Sequence, residues 1–219
     1  MPFDLGFALS IVPKIVGALW TSILVALLSC VGASLLGFTL EIARRSNRVM
    51  RYAMRFLIDF IRSTPLLVQL YFFYFVLPSY GIKLPALAIG VIAISLYYSG
   101  YLAEVFKAGI DGVKPGQFEA ARALDLTRLQ TVMLVIAPQM LRNIAAPMGN
   151  YFIGIFKSTP YLAAIAVYEA FGAALDIASD TFRYTEPMVV VGAIFLAIAL
   201  VLAWFVRRLE ERLLLSAQR

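Results

Sequence analysis

Two cations stand where a chain this apolar would ordinarily carry none. Arg62 and Lys157 each follow an apolar stretch, and each is followed by the same three residues, Ser63-Thr64-Pro65 and Ser158-Thr159-Pro160. A charge inside a membrane span costs about 2.5–3.5 kcal/mol on insertion scales, so such residues are functional candidates by default. A guanidinium or ammonium beside two hydroxyls can receive a carboxylate. Ser63, Thr64, Ser158 and Thr159 are therefore grouped with Arg62 and Lys157 as candidates for a substrate path. The repeated pattern also suggests two proline-broken helix points facing one cavity, the arrangement transporters use for binding sites. Arg62 has a second use open to it, an ion pair with Asp59 one turn back. Glu104 is read as the partner of Lys107, at the same spacing, in preference to a contact with a substrate amine. The aromatic runs Tyr71–Phe75 and Tyr97, Tyr98, Tyr101 read mainly as packing, with a cation-binding face as the alternative.

Other chemistry is excluded by what is missing. The chain has no histidine, which removes every Ser-His or Cys-His nucleophilic arrangement and every histidine metal site. Its single cysteine, Cys30, allows no intrachain disulfide. No Gly-x-x-x-x-Gly-Lys-Ser/Thr phosphate loop occurs, so ATP work belongs to a partner. We expect no catalytic residue, no metal and no cofactor in this chain.

The elements that position these residues are helices in lipid. The 219 residues are 62% hydrophobic and 15% charged, against about half and a quarter in a soluble domain. The net charge of +6 is explained by basic residues flanking spans, and nucleic acid is not an expected partner. Asp4 and the length of the first apolar run argue against a cleavable signal. Residues 15–40 are uncharged and long enough to cross a hydrocarbon core of about 30 Å. Residues 1–14 carry a weak signal for lying along the membrane surface. Further spans are expected near 56–77, 84–103, 138–156 and 187–206. Arg44, Arg45, Arg48, Arg51 and Arg55 face one acid between Glu41 and Arg55, which places that loop in the cytoplasm. The tail carrying Arg207, Arg208, Arg212 and Arg219 follows the same rule. The expectation is an all-α membrane protein of five transmembrane helices, N-out and C-in, forming a single transmembrane domain over residues 1–219. Residues 158–186 form an outer segment with room for a short re-entrant helix. Its acids, Glu169, Asp176, Asp180 and Glu186, are either contacts for an external protein or ordinary solvated charges.

One polar island, Lys114 to Pro138, interrupts the apolar chain and makes up most of an expected cytoplasmic loop over residues 104–137. Pro115 suits a first helical turn. Phe118, Ala121 and Leu124 recur at three-residue spacing, which places them on one face. Asp125 ends this short helix, and Thr127 with Gln130 forms a capping box opening a second one.

Glu119-Ala120-Ala121, then Asp125 after three residues, then Val135-Ile136-Ala137-Pro138, resembles the EAA loop of ABC-importer permeases. Asp125 stands where that family has glycine and Ala137 where it has leucine. An aspartate tolerates a left-handed backbone better than most residues. Arg62-Ser63-Thr64-Pro65-Leu66-Leu67-Val68-Gln69, Tyr101-Leu102-Ala103-Glu104-Val105-Phe106 and Lys114 to Leu124 resemble the polar-amino-acid uptake branch. The resemblance implies a permease subunit of a binding-protein-dependent importer in a bacterial cytoplasmic (inner) membrane. It implies that Gly116, Phe118, Glu119, Ala120, Ala121, Arg122, Leu124 and Asp125 engage an ATP-binding subunit dimer, with ATP and Mg on those partner ATPase subunits. It further implies a second permease, identical or related, and an extracytoplasmic substrate-binding protein. The cargo is a polar amino acid or amino-acid-like solute. The alternatives are a compatible solute of ectoine or betaine type and an ion-coupled transporter using Asp59 and Glu104 as a proton relay.

Overall fold

The computed structural model describes residues 3–217; Met1, Pro2, Gln218 and the tail residue Arg219 lie outside them. Every regular element among the described residues is helical. Helix α1 (Leu5–Ser46) opens with the Asp4 side chain accepting the Phe7 N–H. It continues without a break through residues 5–14, which are its first turns and not a separate surface helix. Helix α2 (Arg48–Ser63) is capped by Asn47 in the same manner. It is followed by α3 (Leu66–Tyr71), a π-helical turn (Phe72–Val76) and a short 3-10 turn. Helix α4 (Ala86–Asp111) leads to the short α5 (Pro115–Ala123). A single turn α6 (Arg128–Gln130) runs through a π-helical stretch (Thr131–Ile136) into α7 (Ala137–Lys157). A 3-10 turn (Thr159–Ile165), α8 (Ala170–Thr181) and α9 (Thr185–Ala217) complete the chain.

Among the described residues three helices are long and apolar enough to cross a membrane, or five if each of two bent pairs counts as one span. The first bent pair carries the proline break at Pro65 within the region expected to span at 56–77. Helix α2 begins at Arg48, and the chain turns by 98° between Ser63 and Leu66. Pro65 has no N–H to continue the ladder, and its ring pushes Thr64 to the extended region, φ −96° and ψ 127°. Most of the expected 104–137 loop is itself helical. Residues 104–111 complete α4 and residues 128–136 are already helical.

Helices α1 and α4 run parallel and form the centre of the packing. Small residues let them approach: Ser29, Ala33 and Gly37 of α1 are buried, as are Ser95, Ser99 and Ala103 of α4. A Cβ built on Gly37 would lie 2.9 Å from the Ser99 carbonyl oxygen and 3.1 Å from the Ala103 nitrogen, both backbone atoms that have no freedom to move aside. Close backbone approach of this kind replaces the hydrophobic drive that helices lack in lipid. Helix α7 packs antiparallel to α4, and α9 antiparallel to α7. The opposite faces of α1 and α9 remain apolar and exposed, including Trp20, Leu27, Leu35, Leu196, Leu200 and Trp204, as surfaces against lipid should be.

The shared end of α1 and α4 is locked by charge. The Glu41 side chain is 1% exposed and lies between Arg44 and Arg45. Arg44 Nη1 reaches Glu104 Oε1 at 2.5 Å, and Arg45 Nη2 reaches Asp111 Oδ1 at 2.6 Å. Within it Arg44 and Glu41 form the buried pair, and removing one partner of such a pair costs about 3–5 kcal/mol. This lock replaces the expected Glu104–Lys107 pair. Helical spacing shows only neighbours on the same helix, whereas α1 presents an arginine directly to Glu104. At the other end, Arg183 binds Glu186 at 2.5 Å and Asp4 at 3.4 Å and lies over the Phe7 ring, fastening the start of α1 to that of α9.

Candidate coupling helix and substrate path

Pro115 opens α5 at a position where the missing N–H has no partner to lose. The helix is short because Asp125 takes φ 51°, a left-handed conformation that ends it. The backbone N–H groups of Leu124, Asp125 and Leu126 return to the carbonyls of Ala120, Arg122 and Ala121, closing the end. Thr127 and Gln130 then make the reciprocal capping box that starts α6.

Of the coupling candidates, Ala121 is buried and Phe118 half-buried, while Gly116, Glu119, Ala120, Arg122, Leu124 and Asp125 are exposed. Leu124 departs from the expected shared face. It is the C-cap, where the helical repeat stops, and is 73% exposed. The outer surface of α5 thus presents one acid, one base, small residues and one bare leucine. Gln139 of α7 donates its amide to Gln117 of α5 at 3.1 Å and to the Val135 carbonyl at 2.9 Å. Spacing within the island gave no signal for this link, because the residues are distant in sequence.

The path candidates separate into two places. Arg62 ends α2 and lies over the Tyr101 ring of α4, 5.2 Å from its centroid. The expected Arg62–Asp59 pair is not formed, and Asp59 faces Arg55 at 3.9 Å instead. The Tyr101 hydroxyl donates to the Arg62 carbonyl at 3.4 Å. One turn earlier on α4, the Tyr98 hydroxyl contacts Ser158 Oγ at 2.9 Å. Ser158 Oγ donates to the Gly154 carbonyl at 3.0 Å, so Tyr98 is the donor. Tyr97 contacts Tyr101 at 3.2 Å, and Tyr151 of α7 packs on both Tyr98 and Tyr101. A four-tyrosine wall therefore joins the end of α2 to the end of α7.

Both Ser-Thr-Pro repeats lie at helix ends. Thr64 Oγ1 donates to the Phe60 carbonyl and Thr159 Oγ1 to the Phe156 carbonyl, each at 2.9 Å. Ser63 is exposed, whereas Ser158 and Thr159 are buried. Gln69, which residue type alone did not single out as functional, donates its amide to the carbonyls of Ile61 and Thr64 at 2.9 and 3.2 Å. It thereby satisfies acceptors that the break at Pro65 releases, a necessity where water is scarce. Lys157 is exposed and lines a separate apolar cavity of 330 Å³ with Phe171, Met188 and Phe195. Arg62 lines a different cavity. Asp59 and Glu104 line one cavity, and each is engaged by an arginine, Arg55 and Arg44 respectively.

Residues 33–215 match the family model described as the binding-protein-dependent transport system inner membrane component. The chain belongs to this family. It is 38% identical over 211 residues to a probable amino-acid ABC transporter permease of Sinorhizobium fredii, covering 96% of this chain and 91% of the relative. It is 29% identical over 216 residues to the glutamine transport system permease protein GlnP of Escherichia coli K12, covering 97% and 99%. Among solved structures, a chain from an amino acid ABC transporter crystallised with histidines superposes with a TM-score of 0.89 at 32% identity, covering 97% of this chain and all of that one. A chain of the inward-facing MetNI methionine transporter shares the fold, with a TM-score of 0.79 at 14% identity over 93% of this chain and 98% of that one. This permease is an integral membrane component of an ABC transport system.

Proposed function

We propose that this permease is the membrane subunit of an ATP-driven importer of a polar amino acid, with five spans, its N-terminus outside and its C-terminus in the cytoplasm. The arginine-rich end of α1 and α2 supports that orientation. Helix α5 sits at the cytoplasmic end and inserts into an ATPase subunit. Phe118 and Ala121 shape its back, and Gly116, Glu119, Ala120, Arg122, Leu124 and Asp125 meet the partner. ATP-driven closure of an ATPase dimer pushes α5, and Gln117–Gln139 passes the displacement to α7. A second permease completes the pathway, and a substrate-binding protein delivers cargo at the end bearing Asp4 and Arg183. Arg62, Ser63, Thr64, Lys157, Ser158 and Thr159 belong to the path, with Arg62 and Ser158 at the tyrosine wall.

The observation that carries this reading is an exposed nine-residue helix braced from behind by α7, with a bare leucine and a free acid on its outer side. Glu119→Lys should abolish cargo-stimulated ATP hydrolysis in the assembled complex while membrane insertion persists. Unchanged stimulation would remove the docking role.

A further inference from the structure

Behind α5, where α7 and α9 converge, lies a cavity of 680 Å³. Lys114, Gln117, Gln139, Arg142, Asn143 and Glu210 supply its polar wall. At the shared end of α1 and α4, by contrast, Glu41, Glu104 and Asp111 each meet an arginine. Lys114, Arg142 and Glu210 line one space, yet none of them forms an ion pair among the described residues. Gln117 accepts from Gln139 through its Oε1, so its own amide N–H groups stay available.

Two contacts fix the level of this cavity. A Cβ built on Gly149 of α7 would lie 2.6 Å from a methyl of Val206 of α9, so these residues stand side by side. From there Arg142 is about 10 Å and Glu210 about 6 Å toward the end bearing α5. Trp204, with Arg208 over its ring at 5.5 Å, marks the membrane boundary on the same helix. Glu210 is about 9 Å beyond it, at the level of the polar headgroups. Leu141 and Leu209 flank the cavity and are exposed, as surfaces that acyl chains can follow.

We propose that this cavity binds the headgroup of an ethanolamine phospholipid, its phosphate on Arg142 and Lys114 and its ammonium on Glu210. A guanidinium fork and an ammonium together suit a phosphate, and basic pockets between membrane helices take headgroups in this way. Phosphatidylglycerol supplies the phosphate but leaves Glu210 unpaired beside it. Phosphatidylcholine has the positive charge but no N–H to donate to the carboxylate. Free O-phosphoethanolamine carries the same pair of charges, and the level of the cavity favours the lipid. Gln117 and Gln139 line the same space, so a bound headgroup braces the link from α5 to α7. The binding stands apart from the permease reading above; the brace rests on it.

The test uses the purified permease–ATPase complex in nanodiscs of equal parts phosphatidylethanolamine, phosphatidylglycerol and phosphatidylcholine. After transfer to detergent, retained lipids are identified by native mass spectrometry. Phosphatidylethanolamine should be retained at least fivefold over either of the others. Glu210→Gln should abolish that preference, and Arg142→Gln should lower phosphatidylethanolamine retention fivefold or more. Equal retention of the three lipids by the wild type, or a preference unchanged in Glu210→Gln, would overturn the site. The wild-type comparison decides even if a variant fails to assemble. Millimolar O-phosphoethanolamine should leave the lipid in place; its displacement would overturn the lipid as the source. Basal ATP hydrolysis should be at least threefold higher with phosphatidylethanolamine than in phosphatidylcholine alone, and equal in the two for Glu210→Gln. Equal wild-type rates with the lipid retained would overturn the brace. Failure of any ATP-binding subunit to co-purify would overturn the permease reading, and lipid retention by the chain alone would still decide the site.

Discussion

Gln139 on α7 donates its side-chain amide to Gln117 on α5 across 3.1 Å. This polar link ties the exposed short helix to the helix that ends at Ser158 and the tyrosine wall. Residues sharing one mechanical task are non-additive when removed singly and together. Gln117→Ala and Gln139→Ala should each lower cargo-stimulated ATP hydrolysis severalfold, and the double variant should do no worse than either. Additive losses would show that the two side chains act separately.

Asp125 holds φ at 51°, a conformation that strains a side-chain-bearing residue by about 1–2 kcal/mol and a glycine hardly at all. Asp125→Gly should therefore raise the thermal stability of the purified complex and preserve ATPase association. Asp125→Val should lower both. A destabilised Asp125→Gly would mean that the carboxylate makes a contact within the assembly.

The contrast between the two kinds of contact explains what was legible from residue order. The Thr127–Gln130 box and the turn at Asp125 depend on neighbours three or four residues apart, so their geometry is written locally. The break at Pro65 was visible as a proline, but its angle depends on where α3 packs. Arg62 and Glu104 found Tyr101 and Arg44 instead of their helical neighbours because α1, α2 and α4 converge, and helical spacing holds no trace of that convergence. Lys157 and Arg62 share a motif yet face different cavities, since each break sends the following chain in its own direction.

Gly37 meets backbone on α4, whereas a Cβ on Gly17 would have nothing within 4 Å. Gly37→Ala should separate α1 from α4 at a cost of about 1–3 kcal/mol, the range for overpacking, lowering the melting temperature and yield of the complex. Gly17→Ala should leave both unchanged. Equal behaviour of the two would contradict the close approach of these helices.

Asp4 is held below the usual carboxylate range first by the Phe7 backbone N–H and then by Arg183. A depressed carboxylate contributes stability above its unfolded value of 3.8, and that contribution fades as pH falls through the lower folded value. The clasp is exposed, so the effect is small. The melting-temperature difference between wild type and Asp4→Asn should stay constant from pH 7 to pH 5 and shrink only below the ordinary carboxylate range. A difference that disappears between pH 7 and pH 5 would assign the clasp to other groups.

The account stands or falls on what touches α5 in the native assembly. A photo-crosslinking amino acid placed at Ala120 or Leu124, both outward-facing, should capture the ATP-binding subunit in intact membranes, while one placed at Phe182 near the opposite end should not. Failure of both α5 positions to capture that subunit, or its capture from Phe182, would contradict the central claim.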